Sequence, residues 1–86
     1  MASYEIRWRR SAKKELRKLP QEARRRLLKA IERLREDARP PGCRKMVGSQ
    51  SAYRLRVGDY RIVYTILAGE LVIEIVRVGS RKDAYR

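Results

Sequence analysis

Residues 53–64 read Tyr53-Arg54-Leu55-Arg56-Val57-Gly58-Asp59-Tyr60-Arg61-Ile62-Val63-Tyr64. Apolar and basic side chains alternate through the first five residues, Gly58-Asp59 supplies a two-residue turn, and a largely apolar run returns. A strand points successive side chains to opposite faces, so Arg54 and Arg56 share one face, opposite Tyr53, Leu55 and Val57. A tight turn at Gly58-Asp59 sets Val57 against Tyr60, Arg56 against Arg61 and Arg54 against Val63. Arg56 and Arg61 are then direct cross-strand neighbours, and like charges so placed destabilise a sheet. The arrangement is tolerable where an anion normally sits, which makes this face a phosphate-binding platform. A solvated outer face is the plainer reading of polar alternation in an antiparallel sheet. The Arg56–Arg61 clash tells against it. On either reading Arg54, Arg56 and Arg61 face water or a ligand.

Upstream, Tyr4-Glu5-Ile6-Arg7-Trp8 alternates as a short strand. Ser11 reads as a helix N-cap, with Ala12, Leu16 and Leu19 spaced as one helical stripe. Leu19-Pro20 breaks that helix, and a second runs from about residue 21 to 37. Its stripe is Ala23, Leu27, Ala30, Ile31, Leu34 and Ala38, with basic residues over the rest, including Arg24, Arg25 and Arg26. The segment Arg39-Pro40-Pro41-Gly42-Cys43 reads as a loop. After the hairpin, Leu67-Ala68-Gly69-Glu70 turns the chain into a strand from Leu71 to Val78, which Gly79 ends. Arg77 shares its parity with Ile73 and Ile75, so it caps the core edge or meets a carboxylate. Glu74 falls on the arginine side and is expected to hold a guanidinium. Tyr53, Tyr60, Tyr64 and Trp8 are expected in the core. The order β-α-α-β-β-β gives an α+β fold, its two helices on one face of an antiparallel sheet.

Composition bounds the rest. The chain carries 23 Lys+Arg against 10 Asp+Glu, a net charge of +13, which favours a polyanionic partner. Arginine far outnumbers lysine and suits bidentate phosphate contacts. Eighty-six residues with 43% apolar content support a single domain, residues 1–86, with one core. The sole cysteine, Cys43, cannot form an internal disulfide, and the sequence has no histidine. That excludes a Cys–His catalytic pair and argues against a zinc site, and no cofactor is expected. The N-terminal residues lack an apolar targeting core, and no run is long enough to span a membrane. A cytoplasmic location without membrane attachment is the expectation.

The element order, the Leu19-Pro20 break, the Arg39-Pro40-Pro41-Gly42 loop and the string from Tyr53 to Tyr64 together resemble the RelE/ParE superfamily of bacterial and archaeal toxins. The ending Val76-Arg77-Val78-Gly79-Ser80-Arg81 through Tyr85 fits as well, so the resemblance covers essentially the whole chain. It implies the toxin of a type II toxin–antitoxin system, held inactive by a cognate acidic antitoxin in a hetero-oligomer. RelE-type members are metal-independent endoribonucleases that cut messenger RNA on the ribosome. By position, Arg54 and Arg56 resemble the two basic sites of the family's first hairpin strand. Arg61 resembles the basic residue after the turn, Arg81 the one after the last strand, and Tyr85 the tail aromatic. All five are candidate catalytic residues.

Metal-free RNA cleavage activates a 2′-hydroxyl against its own 3′-phosphate. Arginines can stabilise the charge that develops on the phosphoryl oxygens. They are poor bases, because their pKa stays above about 12. RelE-type enzymes typically carry lysines where this chain has Arg54 and Arg56, so the general base is open. Tyr85 is the matched residue with a titratable hydroxyl, and it can equally stack on a base. Two alternatives stand beside the nuclease: a ParE-like inhibitor of DNA gyrase with the same fold, and a non-catalytic RNA-binding module or degenerate toxin.

Overall fold

The hairpin forms in the expected register, with Arg54 opposite Val63, Arg56 opposite Arg61 and Val57 opposite Tyr60. The computed structural model describes residues 3–80. Its elements are β1 (Glu5–Trp8), α1 (Arg10–Arg17), α2 (Gln21–Leu34), β2 (Cys43–Lys45), β3 (Ala52–Val57), β4 (Tyr60–Leu67) and β5 (Val72–Ser80), with a short 3-10 turn at Ala68–Glu70. The strands form one sheet in the order β1-β5-β4-β3-β2. All neighbours are antiparallel except β1 and β5. The fold is therefore α+β, as the pattern implied. Strand β2 is additional: Cys43, expected in a loop, begins a three-residue edge strand. It is recruited by pairing, with Cys43 opposite Leu55, Arg44 opposite Arg54 and Lys45 opposite Tyr53. Three residues are too short for periodicity to reveal.

Helix α1 begins earlier than Ser11. Its N-cap is Arg9, without a side-chain cap. The Arg9 N–H donates to the Ile75 carbonyl at 3.0 Å, so backbone bonding to β5, not a serine hydroxyl, fixes the strand–helix corner. Helix α2 ends at Leu34, three residues short of the expected end. Helix α1 lies on β5, and α2 on β3 and β4. Leu27, Ile31 and Leu34 meet Tyr53, Leu55, Ile62 and Tyr64 in one buried cluster, the expected core. Tyr60 and Trp8 are half-buried and pack against its edge.

Strand β5 breaks its own alternation. Val63 is opposite Arg77, yet Tyr64 is opposite Ile75, which leaves Val76 as a bulge. Ile73 and Ile75 before the bulge and Val78 after it are all buried. Arg77 thereby leaves the parity of Ile73 and Ile75. Its guanidinium meets Glu15 of α1 at 3.4 Å, the expected carboxylate contact. The other oxygen of Glu15 accepts the Val78 N–H at 3.1 Å. Glu74 also holds a guanidinium, that of Arg9 at 3.2 Å.

Behind the hairpin, the Tyr53 and Tyr64 rings stack with centroids 6.0 Å apart. The Tyr64 hydroxyl donates to the Ala38 carbonyl at 2.8 Å. Arg39 donates from Nε to the Tyr53 hydroxyl at 3.0 Å, and its guanidinium carbon lies 5.2 Å from that ring's centroid. These contacts tie the 38–42 connection to the sheet.

Candidate functional site

Alternation along β3 sends Tyr53 and Leu55 into the core and Arg54 and Arg56 to the opposite face. Two neighbouring strands add to that face. Strand β4 places Arg61 beside Arg56, and β2 places Arg44 beside Arg54. The result is an open cleft of about 670 Å³ lined by Gly42, Arg44, Arg54, Arg56, Gly58 and Arg61. Among the described residues its lining carries four guanidinium groups and no carboxylate.

The arginines differ in exposure. Arg44 and Arg56 are exposed and Arg54 is half-buried. Arg61, expected to face water or a ligand, is instead only 5% exposed and takes part in interactions of its own. It is the buried charged residue at the cleft floor. Arg61 sits on β4, the middle strand of the five, while Arg44 sits on the edge strand. Arg81 and Tyr85 lie outside the described residues.

Sequence reasoning did not single out Arg44. Its neighbours Gly42 and Cys43 looked like loop, and the cross-strand partnership with Arg54 exists only once β2 pairs with β3.

Two glycines shape the rim. Gly58 has φ +60, while its turn partner Asp59 has a negative φ. This is the pattern of a type II′ hairpin turn, which requires glycine at the first central position. A Cβ there would stand 3.4 Å from a guanidinium nitrogen of Arg26, so the basic surface of α2 reaches the hairpin end of the cleft. Gly42, at φ +91, carries the chain from the Pro40-Pro41 corner into β2.

The tyrosine–arginine stack sits on the other side of the same strands. Burial pushes the Tyr64 hydroxyl well above the usual phenol range, and the Cys43 side chain adds to the shift. The Tyr53 hydrogen bond holds Arg39 above its ordinary value. Neither tyrosine is placed to act as a base in the cleft, because Tyr53 and Tyr64 are core residues. Among the described residues no cluster of metal-ligating side chains occurs. No described helix is long and apolar enough to cross a membrane.

The archaeal RelE–RelB complex from Pyrococcus horikoshii contains a chain with a TM-score of 0.82 at 28% identity, covering 92% of this chain and 96% of that one. The isolated Escherichia coli RelE toxin superposes with a TM-score of 0.81 at 28% identity, covering 96% and 92%. The Methanocaldococcus jannaschii protein named "Putative toxin RelE1" is 29% identical over 76 residues, 85% of this chain and 84% of the relative. Residues 6–85 match the family model for the ParE toxin of the type II toxin–antitoxin system parDE. With that match over nearly its full length and RelE structures sharing its fold, the chain belongs to the RelE/ParE superfamily of type II toxin–antitoxin toxins.

Proposed function

We propose that this toxin is a metal-independent endoribonuclease that cuts messenger RNA on the ribosome. The observation that carries the reading is the cleft of Arg44, Arg54, Arg56 and Arg61, where four cations converge with no carboxylate among the described lining residues. A toxin that acts only by docking on a protein has no need of such a concentration of phosphate ligands. In the reaction, the 2′-oxygen attacks the adjacent phosphorus and the bond to the 5′-oxygen breaks. The products are a 2′,3′-cyclic phosphate and a free 5′-hydroxyl. Arg56 and Arg61, side by side, would share the charge on the phosphoryl oxygens, each well-placed donor being worth about 2.7–4 kcal/mol. Arg81 would assist the leaving oxygen, and Tyr85 would stack on a base or take the 2′-proton. Much of the rate would come from the ribosome holding the RNA in line for attack.

The partner follows from the same charge. Several similar structures are RelE–RelB complexes, and an acidic antitoxin that folds over the arginine face would neutralise it. Binding of that kind weakens as salt rises. Insensitivity to ionic strength, with the cleft arginines left exposed in the complex, would contradict this account of inhibition.

The ParE family match favours a second reading, inhibition of DNA gyrase. Primer extension on mRNA from a translating extract separates the two. Discrete, ribosome-dependent cuts that Arg56→Gln removes support the nuclease. Intact mRNA together with loss of supercoiling activity supports the gyrase inhibitor.

A further inference from the structure

The four cleft arginines form two cross-strand pairs. Arg56 and Arg61 are opposite each other on β3 and β4. Arg44 and Arg54 are opposite each other on β2 and β3. Arg54 and Arg56 are two residues apart on one strand, so the pairs are displaced along β3 by about 6.6 Å. The pair centres are also offset sideways by one strand spacing, about 4.8 Å, so they stand about 8 Å apart, a gap that long arginine side chains can close onto consecutive phosphates of an extended single strand. The two arginines of each pair are direct cross-strand neighbours on one face, where like charges repel, and an anion bound between them would relieve each pair separately. A single phosphate between Arg56 and Arg61 leaves the Arg44–Arg54 pair unneutralised.

We infer that Arg44 and Arg54 form a second phosphate subsite, which binds the phosphodiester next to the one held by Arg56 and Arg61. Arg44 is then a positioning residue: it fixes the register of the RNA strand without touching the reacting atoms. The inference rests on the proposed RNA-cleaving role of the cleft. It adds that the ligand is a strand with at least two consecutive phosphates, held from the edge strand inward.

Two 2′-O-methyl RNA oligonucleotides, which cannot be cleaved, provide the test. The dinucleotide has one internal phosphate and the trinucleotide has two. Binding of each to the purified toxin is measured by calorimetry over a salt series. The trinucleotide is expected to bind about tenfold more tightly, and its plot of log K against log salt to be steeper by about 0.7, the contribution of one further phosphate in a single strand. In Arg44→Gln both differences should collapse. In Lys45→Gln both should persist, because this residue loses the same charge but sits opposite Tyr53, on the other face of the sheet. Both substituted positions are exposed on a three-residue edge strand, and matching thermal melts would show that folding is intact.

Equal affinity of the two oligonucleotides for the wild type overturns the second subsite and leaves the nuclease reading standing. A trinucleotide advantage that survives Arg44→Gln, or is lost equally in Lys45→Gln, also overturns it. Failure of both oligonucleotides to bind sinks the subsite and the RNA-binding reading of the cleft together.

Discussion

Arg56 and Arg61 are direct cross-strand partners, yet one is exposed and the other is 5% exposed. The two halves of this like-charged pair therefore carry different consequences for stability. Arg56→Gln removes repulsion without emptying packed space, so its melting midpoint should match or exceed that of the wild type. Arg61→Gln disturbs a buried, engaged side chain and should cost roughly 1–3 kcal/mol. Thermal denaturation of the two variants checks the asymmetry, and identical shifts would refute it.

Repulsion among the cleft arginines predicts that small anions stabilise the fold. Inorganic phosphate should raise the midpoint of the wild type, with a gain approaching about 2.7 kcal/mol when its concentration is 100 times its dissociation constant. At equal ionic strength set with chloride the effect should be smaller. Arg56→Gln should blunt the phosphate-specific part, and an equal response in both proteins would show that the anion acts elsewhere.

Core truncation should separate from these effects. Ile31 is 2% exposed and Leu55 is 7% exposed. Either residue changed to alanine should lose about 2–5 kcal/mol through a cavity. Denaturant unfolding reads this directly. A loss below about 1 kcal/mol at Ile31 would contradict its place in the α2–sheet contact.

The buried Tyr64 hydroxyl predicts behaviour in alkali. Its folded-state pKa lies above the ordinary value of 10.0, so the folded protein holds this proton more tightly than the unfolded chain does. The corresponding stability is complete below pH 10 and is lost as the pH rises from there towards the folded pKa. Tyr64→Phe should be less stable at neutral pH by about 1–3 kcal/mol, because the Ala38 carbonyl loses its donor. Its stability should also fall less steeply above pH 10. Parallel curves for the two proteins would assign the alkaline loss to other groups.

The hairpin register, both helices and the core face were legible because alternation and helical spacing extend over many residues. Three features were hidden for identifiable reasons. Strand β2 exists through its pairing with β3, and Cys43-Arg44-Lys45 has no strand pattern of its own. The bulge at Val76 breaks β5 into two phases, so counting parity from Leu71 misplaces Arg77. Arg61 is indistinguishable from Arg56 by pattern, and its burial shows only in the assembled structure. Arg54, Arg56 and Arg61 were therefore found as a group, but the depth of Arg61 and the presence of Arg44 needed the sheet.

Along β3 the alternation Tyr53, Arg54, Leu55, Arg56 assigns core and cleft to successive residues of one extended segment. No loop or hinge intervenes between them. A shift of Tyr53 against Tyr64 would be carried through a single peptide unit to Arg54, and a shift of Leu55 to both Arg54 and Arg56. On β3 the spacing of Arg54 and Arg56 is thus set by how well the tyrosines and leucine behind them fit.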